Sequence, residues 1–415
     1  MTETLSTQAP VRSEARRWAA VVICWLLIVM DGYDLIVYGA VQNSLIEGTD
    51  WGLTPSSAGT LGSLAFLGMM IGAVVAGRLS DSLGRRRTIL ACAIVFAIAT
   101  VACALAPNPA TFGALRLIAG LGLGGLVPSA NALTAELIPP RWRGSMATLM
   151  MSGVPLGGTI AALTGIWLIP ALGWRSMFWV TAISFVVIVI AFKVLPETST
   201  TRDSTMPSQE KAGFRTILGV PWLSFSILFA LTTLFTLFAW YGLGTQLPKI
   251  MRDSGADLGP ALAFTLALNL GAVVGSVLTA WAGDRFGILP TATVSAAVAG
   301  IGLVSLMGGT TATVAIYVAL VLAGIGTHGT QSLIIGAIAS HYPEHLRGTA
   351  LGWALGVGRI GAVLAPQVSG ILLGLNGVPP AMNFLLFGGA ALLSALVLGT
   401  LTVLTRKRRT QFAEV

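Results

Sequence analysis

Apolar residues run along this chain in blocks long enough to cross a bilayer, and polar residues are confined to the breaks between them. A membrane-spanning helix needs about 20 consecutive apolar residues. Twelve blocks meet that requirement: 18–41, 56–77, 88–106, 110–135, 145–169, 175–194, 218–243, 260–281, 289–308, 312–338, 349–374 and 380–404. The pattern predicts an all-α membrane protein of twelve transmembrane helices, with little sequence left for a water-exposed domain. One long polar stretch, rich in Ser, Thr, Lys and Glu, divides six blocks from six. The expected organisation is a six-helix bundle over 1–195, a cytoplasmic linker over 196–216, a second six-helix bundle over 217–405 and a basic cytoplasmic tail over 406–415.

Composition supports a bilayer setting, because only 10% of the residues are charged, against about 25% in a soluble domain. The net charge is +8, but its placement says more. Lys and Arg gather in alternate connections: Arg12, Arg16 and Arg17; Arg78, Arg85, Arg86 and Arg87; Arg141 and Arg143; then Lys193, Arg202, Lys211 and Arg215. The same side continues with Arg285, Arg347 and the run Arg406, Lys407, Arg408 and Arg409, while the other side holds only Arg175, Lys249 and Arg252. Basic loops stay in the cytoplasm, so both termini are expected inside, which agrees with an even number of spans. The charge is thereby explained by topology, and no nucleic-acid partner is expected. Cys24, Cys92 and Cys103 fall inside predicted spans without metal-ligand spacing, so neither a disulfide, a metal nor another cofactor is expected. The first block is too long for a cleaved signal peptide and reads as an uncleaved helix.

The two halves share a pattern. Gly68, Gly72, Asp81 and Gly84 recur at one offset as Gly271, Gly275, Asp284 and Gly287. Gly120, Pro139, Arg143 and Gly144 recur, one residue further displaced, as Gly324, Pro343, Arg347 and Gly348. Internal repeats of this kind belong to transporters, which place their substrate near the midplane between the halves.

The run Gly77-Arg78-Leu79-Ser80-Asp81-Ser82-Leu83-Gly84-Arg85-Arg86-Arg87 resembles the loop between spans two and three of the major facilitator superfamily, and Gly283-Asp284-Arg285-Phe286-Gly287 is similar to its degenerate copy between spans eight and nine. A narrower resemblance is to the aromatic acid:proton symporter family. It rests on Asp31-Gly32-Tyr33-Asp34 in span one, Arg116 in span four, and the stretch from Tyr342-Pro343 through Gly352-Trp353 to Arg359-Ile360-Gly361. One position departs: His328 stands in span ten where many relatives carry Asn, which bears on the acid carried. The resemblance implies two pseudo-symmetric six-helix bundles, a bacterial cytoplasmic-membrane location, a monomer, and import of an aromatic carboxylate of the benzoate or hydroxybenzoate class with protons by alternating access.

The residues themselves point the same way. A carboxylate in hydrocarbon costs about 2.5 kcal/mol or more, and span one carries two. Residues three and four apart share a helix face, so Asp31, Asp34, Tyr38 and Gln42 form one polar stripe that should face a cavity or another helix. Arg116 is the expected partner. Asp34 lies about 12 Å below the outer end of span one and Arg116 about 10 Å below the outer start of span four. Gly120 and Gly124 leave room beside it, with Asn131 further along. The guanidinium favours the charged carboxylate and burial favours the protonated one, an opposition that suits proton coupling by Asp31, Asp34 and Arg116. Asp34 aligns better with Arg116 and is ranked first. A permanent salt bridge or an ion-paired packing contact remains the alternative.

Arg359 sits about 15 Å into span eleven, among Gly352, Gly356, Gly358 and Gly361, with no carboxylate at its depth in the second half. Its fork suits a substrate carboxylate; hydrogen bonding to unwound carbonyls is the alternative. Further substrate contacts are sought at Tyr38, at His328 and Gln331 on one face of span ten, at the aromatic walls Trp353, Tyr241, Trp240 and Phe238, and at Asn269; core packing is the competing reading for each. Asp81, Arg85, Glu136, Arg143 and Asp284 mark a cytoplasmic gate. Gly153-Val154-Pro155-Leu156-Gly157-Gly158 resembles an antiporter motif, so an exporter or antiporter of hydrophobic molecules stays open. A membrane-embedded enzyme lacks a metal cluster or nucleotide loop to support it.

Overall fold

The computed structural model describes residues 14–139, 142–197, 214–308 and 312–413. Its first bundle comprises α1 (Glu14–Glu47), α2 (Pro55–Leu83), α3 (Arg85–Cys103), α4 (Pro109–Leu137), α5 (Arg143–Leu172), and the pair α6 (Arg175–Val180) and α7 (Ile183–Val194), which together make the sixth span. After a one-turn α8 (Phe214–Ile217), the second bundle comprises α9 (Leu223–Asp253), α10 (Leu258–Phe286), α11 (Ile288–Ser305), α12 (Thr313–His341), α13 (Glu344–Gly374) and α14 (Met382–Ala413). Twelve helices are long and apolar enough to cross a membrane, as the hydrophobic pattern requires.

Several helices, among them α1, α2, α5 and α10, overrun the apolar blocks. α1 has 34 residues and reaches Glu47, because hydropathy registers the hydrocarbon layer, whereas the helix continues through Gln42, Asn43 and Ser44 until capping or chain direction stops it. The seventh span starts at Leu223 rather than 218, after a break at Gly219 to Pro221. Most of the predicted linker, 198–213, lies outside the described residues. The basic tail continues α14 as helix to Ala413.

Local chemistry sets several ends. Thr54 and Ser57 exchange side-chain and backbone hydrogen bonds in a capping box at the start of α2, with Pro55 in the first turn. Asn108 accepts from the Thr111 amide before α4. The repeated glycines Gly84 and Gly287 take φ of 90° and 96°, a left-handed geometry that only glycine adopts cheaply. They turn α2 into α3 and α10 into α11 without a loop. Gly68, Gly72 and Gly120, with their counterparts Gly271, Gly275 and Gly324, serve close approach. A Cβ on Gly68 would strike the Leu117 carbonyl and one on Gly120 the Ala65 carbonyl; across the second bundle, Gly271 meets Val321 and Gly324 meets Leu268 in the same way. The internal repeat is thus one helix crossing, α2 on α4, built again as α10 on α12.

The bundles meet along three seams: α2 with α13, α5 with α10, and α1 with α9. Among the described residues, α4 makes no comparable contact with α12 or α13. Residues Arg85, Arg86 and Arg87 mark one end of the molecule, called here the basic face. At the opposite, far face the tips of α1 and α9 are joined by Glu47 and Arg252, with Oε2 and Nη2 3.7 Å apart. The molecule is therefore closed at the far face, while on the basic side Gly348, Gly352 and Gly356 of α13 look onto open space. Around the outside, Trp167, Val186, Val277 and Leu396 are among many exposed large apolar side chains, as a lipid-facing surface demands.

Candidate functional site

Two neighbouring carboxylates on α1 find opposite environments. Asp34 is fully buried. Arg116 Nη1 donates to its Oδ1 at 2.9 Å and its Oδ2 at 2.8 Å, and Arg116 Nη2 donates to the Asp34 backbone carbonyl at 3.2 Å. Thr100 Oγ1 on α3 adds a further bond to Oδ1 at 2.7 Å. The Arg116 guanidinium lies 5.9 Å from the centre of the Tyr38 ring, a cation–π distance. The Tyr38 hydroxyl donates to the Ala58 carbonyl. Every group in this cluster except Arg116 Nε is used by protein. Tyr38, expected among the substrate contacts, is 1% exposed and committed to this cluster.

Asp31, about one turn nearer the basic face, is 1% exposed, and neither of its oxygens has a hydrogen-bond partner among the described residues. Electrostatically it feels Asp34 and, from across the molecule, Arg359 on α13. Arg359 and Asp31 both act on Tyr241 of α9 as well. Arg359 is half-buried. Gly348 and Gly352 share its helix face and Gly356 lies close to that face, and beside all three the space is open. The Tyr241 ring packs on Phe66 of α2, with centroids 4.8 Å apart. Mid-membrane, then, a cation, a phenol and a carboxylate without a hydrogen-bond partner converge beside an aromatic wall that spans both bundles.

Glycine crossings hold α1 in that position. A Cβ on Gly32 would run into the Val154 backbone, and one on Gly157 into the Val29 carbonyl and the Tyr33 amide. The stretch Gly153 to Gly158 is accordingly the surface on which α1 rests. About two turns further along the same face of α1, Gly39 touches the Thr245 backbone of α9, and Gly361 and Gly358 bring α13 against Leu234 and Thr233.

The remaining predicted residues are dispersed. His328 is 3% exposed; its Nε2 donates to the Met151 carbonyl at 3.2 Å, which fixes the proton on that nitrogen, and its ring centre is 5.0 Å from that of Trp240. The bond joins α12 to α5 and so links the two bundles. Gln331, one turn toward the basic face, is buried, and its Oε1 has no hydrogen-bond partner among the described residues. Asn269 is buried against Gly158 and donates to the Thr265 carbonyl of its own helix at 2.9 Å, and its Oδ1 has no hydrogen-bond partner among the described residues. Trp353 donates Nε1 to the Ser226 carbonyl at 3.0 Å near the start of α9, well toward the basic face, away from the Asp31 cluster. Among the gating residues, Arg85 Nε and Glu136 Oε1 are paired at 2.5 Å. Asp284 is exposed, and the side chains of Asp81 and Arg143 lie outside the described set.

Thr100 and Phe66 were not singled out from the sequence. One of two threonines in span three, Thr100 carries a weak signal, readable only once the depth of Asp34 and Arg116 is known. Phe66 is one of 16 phenylalanines and has no local mark at all.

Comparison with known proteins places this arrangement in a family. The model of the Major Facilitator Superfamily matches residues 24–366 and 229–414. A gentisate transporter of Corynebacterium glutamicum is 54% identical over 93% of this chain and 88% of its own length. A benzoate transport protein of Acinetobacter baylyi is 32% identical over 93% and 88%, and a 4-hydroxybenzoate transporter of Pseudomonas aeruginosa 30% identical over 90% and 91%. Among solved structures, a D-xylose–proton symporter superposes with a TM-score of 0.77 at 18% identity, covering 92% of this chain and 97% of that one. The inward open conformation of the Escherichia coli xylose transporter gives 0.75 at 18% identity over 92% and 95%; at such identities the likeness is one of fold. With its twelve spans, its repeated crossing and family matches over nearly its whole length, this chain belongs to the Major Facilitator Superfamily.

Proposed function

We propose that the chain imports a hydroxylated aromatic carboxylate together with protons across the bacterial cytoplasmic membrane, with its basic face and both termini in the cytoplasm. Three relatives named for gentisate, benzoate and 4-hydroxybenzoate transport support the substrate class. Gentisate, a dihydroxybenzoate, is the first candidate, because the relative named for it shares 54% identity.

The observation that carries the reading is Asp31 itself: it is 1% exposed on α1 and neither of its oxygens has a hydrogen-bond partner among the described residues, while Arg359 of α13 is half-buried beside open space. A guanidinium offers a planar fork to one carboxylate. When Asp31 is protonated, Arg359 is left to the acid, whose ring lies along Phe66 and Tyr241. When Asp31 loses its proton toward the cytoplasm, the new anion competes for Arg359 and the acid leaves. One cation serving two carboxylates in turn couples proton to substrate. Asp34, bound to Arg116 and Thr100, is assigned instead to anchoring α1 against α3 and α4, so the coupling role passes to the carboxylate without a partner.

The test is uptake of labelled gentisate into right-side-out vesicles under an imposed gradient, acid outside. Accumulation above equilibrium that collapses with a protonophore, and competition by gentisate stronger than by benzoate, are expected. Uptake indifferent to the gradient would refute the coupling, and proton entry driving efflux would make the protein an antiporter.

A further inference from the structure

The far-face seam between α1 and α9 contains an anomaly. Its register is fixed at one end by Gly39 against Thr245 and at the other by Glu47 against Arg252. Between them Gln42 and Asn43 are 0% and 4% exposed, and both polar atoms of each amide lack a hydrogen-bond partner among the described residues. Asn43 lies one turn from Gly39, the residue that meets α9, and Gln42 lies one turn from both Gly39 and Tyr38, at the edge of α1 between α9 and α2. On α9, Gln246 gives Nε2 to the Pro366 carbonyl at 3.2 Å, but its Oε1 also has no partner among the described residues. Lys249, one turn beyond Thr245 and 6% exposed, is held by Asp253 of its own helix rather than by α1. The ion pair that does cross, Glu47 with Arg252, has its side chains 59% and 30% exposed, and pairs of that kind contribute little.

The adjacent seam between α2 and α13 is built differently. Ser63 Oγ donates to the Val363 carbonyl at 2.6 Å and Thr60 Oγ1 to Gln367 Oε1 at 2.7 Å. Gly59 and Gly370 bring the two backbones together. Here the polar groups that cross are paired. A buried amide without a partner is penalised because it has surrendered water and gained nothing, whereas an apolar side chain of similar shape avoids that penalty.

We propose that Gln42 and Asn43 are a release element: their unpartnered amides weaken the α1–α9 seam so that it parts toward the far face, where water satisfies them, while the paired α2–α13 seam stays together. The inference rests on the chain being an alternating-access transporter, but not on which acid it carries.

The test uses the full chain in vesicles with Thr245→Cys as a reporter, since Thr245 is 1% exposed in the closed seam. Labelling by a membrane-impermeant maleimide from the far side measures opening, against a control with Thr245 intact for the three native cysteines. In Gln42→Met, Asn43→Leu and the double variant, labelling and uptake should each slow by on the order of tenfold and the unfolding temperature should rise. Ser63→Ala should lower the unfolding temperature and leave labelling unchanged. Amide variants that unfold earlier or fail to fold, or that label at the parent rate, overturn the proposal, as does faster labelling in Ser63→Ala alone. Because labelling and unfolding need no substrate, they remain decisive if gentisate proves not to be transported.

Discussion

Arg116 holds both carboxylate oxygens of Asp34, at 2.9 and 2.8 Å, while Asp31, three residues earlier on the same helix, has no partner for either oxygen among the described residues. A buried pair is hard to open: removing one partner leaves a charge stranded and costs about 3–5 kcal/mol, whereas removing both costs much less. Asp34→Asn and Arg116→Gln should each lower the unfolding temperature of detergent-purified protein strongly. The double variant should recover much of the loss, with a coupling energy of about 1–3 kcal/mol in the cycle. Additive losses would show that the pair contributes no anchoring of its own.

Asp31→Asn preserves shape and removes the titrating group. Because no protein bond is lost with it, folding should be intact. Uphill accumulation should vanish, while exchange of internal for external acid in preloaded vesicles continues, since exchange needs no net proton movement. Preserved gradient-driven accumulation in this variant would return the coupling role to Asp34.

Arg359→Ala should weaken acid binding by about 2–5 kcal/mol, the cost of truncating one side of a buried charged contact. Ligand-induced thermal stabilisation, which grows with the ratio of ligand to dissociation constant, would then disappear at concentrations that shift the parent. Arg359→Lys keeps the charge but loses the planar fork, so partial binding is expected. A neutral carboxamide analogue should not stabilise even the parent. Equal stabilisation by acid and amide would place the carboxylate elsewhere.

The number of spans, the internal repeat and the meeting of Asp34 with Arg116 were legible in the sequence, because each follows from a periodicity or from a depth along a helix. What a residue does once it arrives was not. Tyr38 shares the stripe of Asp31 and Asp34, yet its hydroxyl goes to Ala58; Trp353 lies only six residues from Arg359, yet its indole reaches Ser226. Depth can be counted from a helix end, but azimuth and partner depend on how neighbouring helices tilt. Those tilts are set by glycine contacts such as Gly157 with Val29 and Tyr33, which involve residues far apart in the chain. Alignment with Arg116 ranks Asp34 above Asp31 in the sequence; in the reading proposed above, that same alignment is the reason to assign Asp34 an anchoring role.

Two glycines with opposite surroundings separate packing from passage. A Cβ on Gly157 would collide with the α1 backbone at Val29 and Tyr33, and neither backbone can yield without moving the segment that bears Asp31 and Asp34. Gly157→Ala should therefore cost about 1–3 kcal/mol in stability and depress uptake with it. Gly356 meets nothing within 4 Å and lies close to the face of α13 that bears Arg359. There Gly356→Ala should stabilise the helix by up to about 1 kcal/mol. Gly356→Leu should keep that stability yet slow uptake, because the larger side chain extends into the space through which the acid would leave Arg359. Measured together, unfolding temperature and initial uptake rate should fall in parallel for Gly157→Ala and diverge for Gly356→Leu. Undiminished uptake in a stable Gly356→Leu protein would place the exit from Arg359 on another face of α13.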